Sequence, residues 1–169
     1  LCVIDGQADE QRLLERAFAL AENNQAHLTI AAVSEPVRLE RKDSQVDIAS
    51  DALQENVSES QARYIADLIE PYKARIEVNT RVLIGTPFLE IIREVLRNGH
   101  DLVLKSPESP DWLLRPFSGD DMNILRKCPC PVWMVKPEAE KSYRRILAAI
   151  DVDDRYPPEE LKTRQALNV

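Results

Sequence analysis

Basic residues are in short supply: 22 lysines and arginines stand against 29 aspartates and glutamates, a net charge of -7. Proteins that hold nucleic-acid backbones display basic patches that displace counterions, so this deficit argues against a nucleic-acid partner. Long apolar runs are missing as well, and no basic segment followed by an apolar one stands at the amino end. The sequence therefore predicts no membrane span and no secretory signal, and implies a cytoplasmic location. Cysteine is scarce: Cys2 stands alone, and Cys128 and Cys130 flank a single proline. That set makes neither a disulfide framework nor a four-ligand zinc site, and inert reduced thiols are expected, with one intervening residue separating the two sulfurs poorly for an internal disulfide.

The only histidines, His27 and His100, fall at the starts of predicted strands. Parallel sheets gather their chemistry at the opposite, carboxyl ends, so neither is placed as a general base. Ser106 and Ser109 have no Gly-x-Ser-x-Gly elbow and no histidine beside them. No catalytic constellation and no metal site is expected, and the protein reads as non-enzymatic.

What the sequence does contain is alternation of strands and helices. Leu1 to Asp5, His27 to Val33, Arg75 to Ile84, Asp101 to Lys105 and Val132 to Lys136 read as strands, rich in apolar and β-branched residues. Between them, apolar residues recur at helical spacing: Leu13, Leu14, Ala17, Phe18 and Ala21; a long stripe from about Ser44 to Glu70, interrupted by Ser58-Glu59-Ser60 and closed by Pro71; and Ile91, Ile92, Val95 and Leu96. Thr86 stands ready to cap the third of these helices with Pro87 in its first turn, and Gly99 to end it. A short helix is expected near Ser118 to Lys127, opened by a capping box of Ser118 and Asp121. Such alternation predicts an open parallel α/β sheet covered by helices on both faces.

At 169 residues the chain accommodates one such domain and a remainder. Residues 1–136 form the expected domain and 137–144 a polar linker. Ile146 to Asp151 then repeats the apolar strand ending in aspartate seen at Leu1 to Asp5, and a helical start follows near Pro158 to Asn168. Residues 145–169 are thus expected to open a second copy, in a truncated piece of a tandem protein that also extends before Leu1.

Five features in order resemble the universal stress protein family: Val3-Ile4-Asp5 closing the first strand, Gly85-Thr86-Pro87, His100-Asp101-Leu102-Val103-Leu104, Leu125 to Pro131 (LRKCPCP), and Val132-Trp133-Met134-Val135. Lys105 before a loop without glycines, with the tandem arrangement, is most similar to the two-domain E type. The resemblance implies a five-stranded, adenine-nucleotide α-hydrolase-like sheet of order 3-2-1-4-5. It also implies self-association through the last strand, here Pro131, Val132, Trp133 and Val135; for Trp133 ordinary core packing is the competing role.

ATP-binding members of the family carry Gly-x2-Gly-x9-Gly and then Ser or Thr after the fourth strand. Those places fall here on Ser106, Ser109, Gly119 and Asp120. Two glycines are replaced by serines beside Pro107 and Pro110, which remove amide donors, while Glu108, Asp111, Asp120 and Asp121 add negative charge. Like charges about 4 Å apart near a surface cost roughly 4 kcal/mol before screening. A degenerate nucleotide crevice follows, with no cofactor expected and ATP, with at most slow ATPase activity, as the alternative. The resemblance places Asp5, Gly6, Val33, Ser106, Ser109 and Gly119 around that crevice. Asp5 is either a vestigial ligand or a loop contact, and Val33 either borders an adenine or belongs to the core. Lys105 either meets a phosphate or, as burial favours, pairs with Asp5 or Asp101.

Overall fold

Cys2–Ile4 (β1) has no exposed residue, because it is flanked by strands on both edges and covered on both faces. The computed structural model describes residues 1–6, 10–36, 47–108, 119–136 and 147. Within them the chain continues through Glu10–Asn24 (α1), Leu28–Ser34 (β2), Asp47–Ile69 (α2), Val78–Ile84 (β3), Pro87–Asn98 (α3), Val103–Lys105 (β4), Asp120–Lys127 (α4) and Val132–Met134 (β5). The sheet runs β3-β2-β1-β4-β5 with every neighbouring pair parallel, the expected order.

Strand alternation sorts the apolar residues into two clusters. Cys2, Ile4, Leu28, Ile30, Ala32 and Leu104 point to the face packed by α1 and α2 through Leu13, Leu14, Phe18 and Ile65. Val3, Ala31 and Val103 point to the other face, against Ile91 and Val95 of α3 and Ile124 of α4. Phe18, wholly buried, also stacks on Tyr72 at 4.4 Å between ring centroids. Truncating such a side chain to alanine costs about 3–5 kcal/mol.

As expected of one long helix, α2 runs straight through Ser58 to Ser60, where the apolar stripe is interrupted, and Ser58 Oγ donates back to the carbonyl of Gln54 at 2.8 Å. Two local expectations change. Thr86 occupies the capping position of α3 without a side-chain capping bond, its carbonyl alone receiving the amides of Leu89 and Glu90. Gly99 does end that helix, at φ 65° and ψ 43°. Finally, Val135 is no surface contact: it is 3% exposed, lies in the first cluster, and donates its amide to Lys105 O. Pro131 is exposed, while Val132 and Trp133 are half-buried, Trp133 under the guanidinium of Arg16.

Contacts divide the chain into Leu1–Pro137 and Glu138–Val169. All elements above belong to the first unit. The expected linker, the repeated strand (Leu147 apart) with its Asp151, and the helical start after Pro158 lie outside the described residues. No helix among the described residues is long and apolar enough to cross a membrane.

Candidate functional site

The period of two along a strand places Asp5 and Lys105 on the same face as Val3 and Val103, and the β1/β4 register sets Val3 opposite Lys105. This brings a lysine that is only 3% exposed to the carboxyl-end crevice, beneath the start of α4. Its ammonium lies 3.0 Å from Asp121 Oδ1 and 3.5 Å from Asp5 Oδ2, and donates to Ser106 O at 2.9 Å. Of the two partners expected, Asp5 is found and Asp101 is not, since Asp101 lies at the far, amino end of β4. Asp121 accepts the Glu108 amide on Oδ2 at 2.7 Å, whereas Oδ1 meets Lys105 at ion-pair distance without hydrogen-bond alignment.

The capping-box expectation fails here. Gly119 is the N-cap of α4, at φ 106° and ψ 163°, with no side-chain cap, and Asp121 turns inward to Lys105. A lysine buried this deeply takes precedence, because an uncompensated ammonium costs far more than an uncapped amide. Ser118 and Ser109 lie outside the described residues.

A second arrangement closes the end of β1. Gly6, at φ 76°, turns the chain so that the amides of Asp5 and Gly6 both donate to Glu10 Oε1, at 3.0 and 2.6 Å. Glu10 Oε2 accepts the Tyr64 hydroxyl at 2.6 Å. Tyr64 is consequently pushed up to about 12, chiefly because its proton is held by that carboxylate. Glu10 is 5% exposed and escaped the sequence reading. Its signal was local, an acid in the first turn of a helix just after a strand-ending glycine; its partner Tyr64, 54 positions on, had none.

The remaining named residues fall around this pair of contacts. Val33 is half-buried and packs, like Leu83 and Phe88, against the second cluster. Beside it, Ser34 Oγ is buried with no hydrogen-bond partner among the described residues. Ser106 is half-buried and contributes its carbonyl, not its hydroxyl, to Lys105. At Gly119 a Cβ would sit 3.3 Å from Glu108 Oε2. Burial pushes the Glu108 carboxyl up, and the nearby Asp121 adds to it; Asp120 is also raised, first by burial. Asp5, Glu108, Asp120 and Asp121 thus gather around the Lys105 ammonium.

His27 and His100 stand at the opposite ends of the strands, as expected. His100 Nε2 is 3.5 Å from Glu94 Oε1, which also accepts Asn98 Nδ2 at 2.8 Å. Burial holds the His100 imidazole below its ordinary value, against the pull of Glu94. The sulfurs of Cys128 and Cys130 are closer than their spacing implied, at 3.7 Å. Proline between them turns the chain so that both side chains face the same cluster.

The universal stress protein family profile matches residues 1–136. Universal stress protein E of Escherichia coli (strain K12) is 32% identical over 165 residues, covering 93% of this chain and 51% of that protein. The chain therefore spans about half the length of the curated relatives it matches. Among solved structures, universal stress protein UspA from Lactobacillus plantarum superposes with a TM-score of 0.57 at 16% identity, over 79% of this chain and 95% of that one. A universal stress protein in complex with cAMP does so with a TM-score of 0.54 at 18% identity, over 81% and 96%. These share the adenine-nucleotide α-hydrolase-like fold. From the ordered motifs, the strand order and the family match over residues 1–136, the chain belongs to the universal stress protein family, with its curated relatives of the E type.

Proposed function

We propose that this domain is a non-enzymatic, cytoplasmic stress-response module whose nucleotide crevice is degenerate, one half of a tandem protein. The observation that carries the reading is the occupancy of the crevice by the protein's own carboxylates. The amides of Asp5 and Gly6 at the end of β1 are bound to Glu10, and the Lys105 ammonium is bound to Asp121 and Asp5. A polyphosphate would have to displace both and then sit among Glu108 and Asp120, so the residues present do not fit ATP. Calorimetry with ATP and Mg²⁺ tests this. No heat of binding at micromolar nucleotide is expected, and binding that Asp5→Ala abolishes would overturn it.

The alternative, an adenine-nucleotide module with at most slow ATPase activity, is favoured by the unpartnered Ser34 Oγ next to Val33 and by the cAMP complex of a structural neighbour. In that case a ligand of low charge binds, and cAMP in the same titration distinguishes the two.

Self-association through β5 belongs to the same proposal. The ladder to β4 uses Pro131 O and Val135 N, which leaves the amides of Val132 and Met134 toward the outer edge. Met134→Pro removes one of them and is expected to sediment as a monomer where the parent chain does not.

A further inference from the structure

We propose that Cys128 and Cys130 form a redox-active dithiol that low-molecular-weight disulfides oxidise to an internal disulfide at the junction of α4 and β5. The geometry has three parts. The sulfurs lie 3.7 Å apart, and a bond of about 2.05 Å requires them to approach by roughly 1.7 Å, which rotation about the two χ1 angles supplies. Both thiols are partly exposed, unlike Cys2, which is wholly buried. Pro129 is exposed between them and fixes the turn, so the pair is held together in the reduced state.

The chemistry follows from the environments. Burial, reinforced by the Cys128 sulfur, pushes the Cys130 thiol up to about 12, so it stays protonated at neutral pH beside the Cys128 sulfur, 3.7 Å away. Cys128 is then the attacking sulfur. Its thiolate attacks one sulfur of the small disulfide RS–SR; the Cys128–SR bond forms, the RS–SR bond breaks, and one RS⁻ leaves. Cys130, its proton passing to the departing RS⁻, attacks the Cys128 sulfur and releases the second RS⁻, which takes up the proton lost by Cys128. The protein thiols lose two electrons, the small disulfide gains them, and the two protons end on two RSH. Because only one residue lies between the cysteines, the bridge restrains very little unfolded chain. Its consequence is local: it ties the C-cap of α4, the helix that carries Asp121, to the turn two residues before the sheet's edge strand.

The test treats the reduced full chain with glutathione disulfide, alkylates what remains, and weighs the peptide carrying residues 128–136. That peptide is expected to be two hydrogens lighter and unalkylated, with Cys2 alkylated only after denaturation, and dithiothreitol is expected to restore two alkylatable thiols. Cys130→Ser, lacking the second nucleophile, is expected to retain glutathione on Cys128 at a level at least about tenfold above the parent chain. Cys128→Ser, lacking the first, is expected to react more slowly at its remaining thiol. A lasting glutathione adduct on the parent chain, a disulfide between two chains, or full alkylation of both cysteines after treatment would overturn the proposal.

Discussion

Both ends of the sheet bury charged side chains, and the two ends hold them differently. At the carboxyl end, Lys105 is 3% exposed and faces Asp121, equally buried, at 3.0 Å. At the amino end, Glu94 is 5% exposed, but its cation is Arg81, 3.9 Å away with a side chain 52% exposed, and its nearer neighbours are the neutral Asn98 and His100, whose imidazole burial holds below its ordinary value. A buried partner cannot be replaced by water, whereas an exposed one can. The carboxyl end is therefore the brittle one, and it is also the end at which open parallel sheets bind ligands.

The largest effect should come from breaking the brittle end. Lys105→Met leaves Asp121 buried without a counter-charge, and a loss of about 3–5 kcal/mol in urea-unfolding stability is expected. Combining it with Asp121→Leu should restore much of that loss, because a buried pair replaced by apolar groups is nearly neutral. A double variant no more stable than Lys105→Met would refute the pairing. Next in size is Glu10→Ala, which strands the Asp5 and Gly6 amides and the Tyr64 hydroxyl, at about 1–3 kcal/mol. The same variant sharpens the functional reading. If Glu10 stands where a phosphate would, its removal should create measurable ATP or inorganic phosphate binding in calorimetry, and continued silence would mean that the carboxylates around Lys105 exclude phosphate by themselves.

What was legible in the sequence divides along the same line. Periodicity delivered the five strands, the helices between them and the two apolar faces, since burial is dictated residue by residue along a pleat or a helix turn. It also delivered Lys105 as a buried cation needing a partner. It did not deliver which partner: Asp121 is 16 positions away and was read as a cap, a local role that local reasoning prefers. Glu10 was missed for the same reason, because its hold on Tyr64 exists only after α1 and α2 pack together. The contact between Cys128 and Cys130 was not legible, because spacing alone says nothing of how a proline turns the side chains around it.

At the tolerant end, Arg81→Ala should cost under about 1 kcal/mol, as exposed ion pairs usually do. A larger loss would erase the contrast drawn above.

The smallest effect expected is a difference in the sign of pH dependence between the two ends. His100 is held below its ordinary 6.5 by burial, so the unfolded chain binds the proton more readily. Its contribution is fully present above pH 6.5 and is lost as pH falls toward the folded value. Glu108 and Asp120 are raised above 4.5 and 3.8, chiefly by burial, so the folded chain holds their protons more tightly. Their contribution is present below those values and is lost as pH rises through the folded ones. Between about pH 4 and 6.5 the two ends thus pull stability in opposite directions, which should leave the parent protein with a shallow profile. His100→Asn is expected to remove the acid-side decline, and Glu108→Gln to remove the opposing one. If His100→Asn leaves the profile unchanged, the imidazole is not buried against protonation, and the amino end is looser than its packing on Glu94 requires.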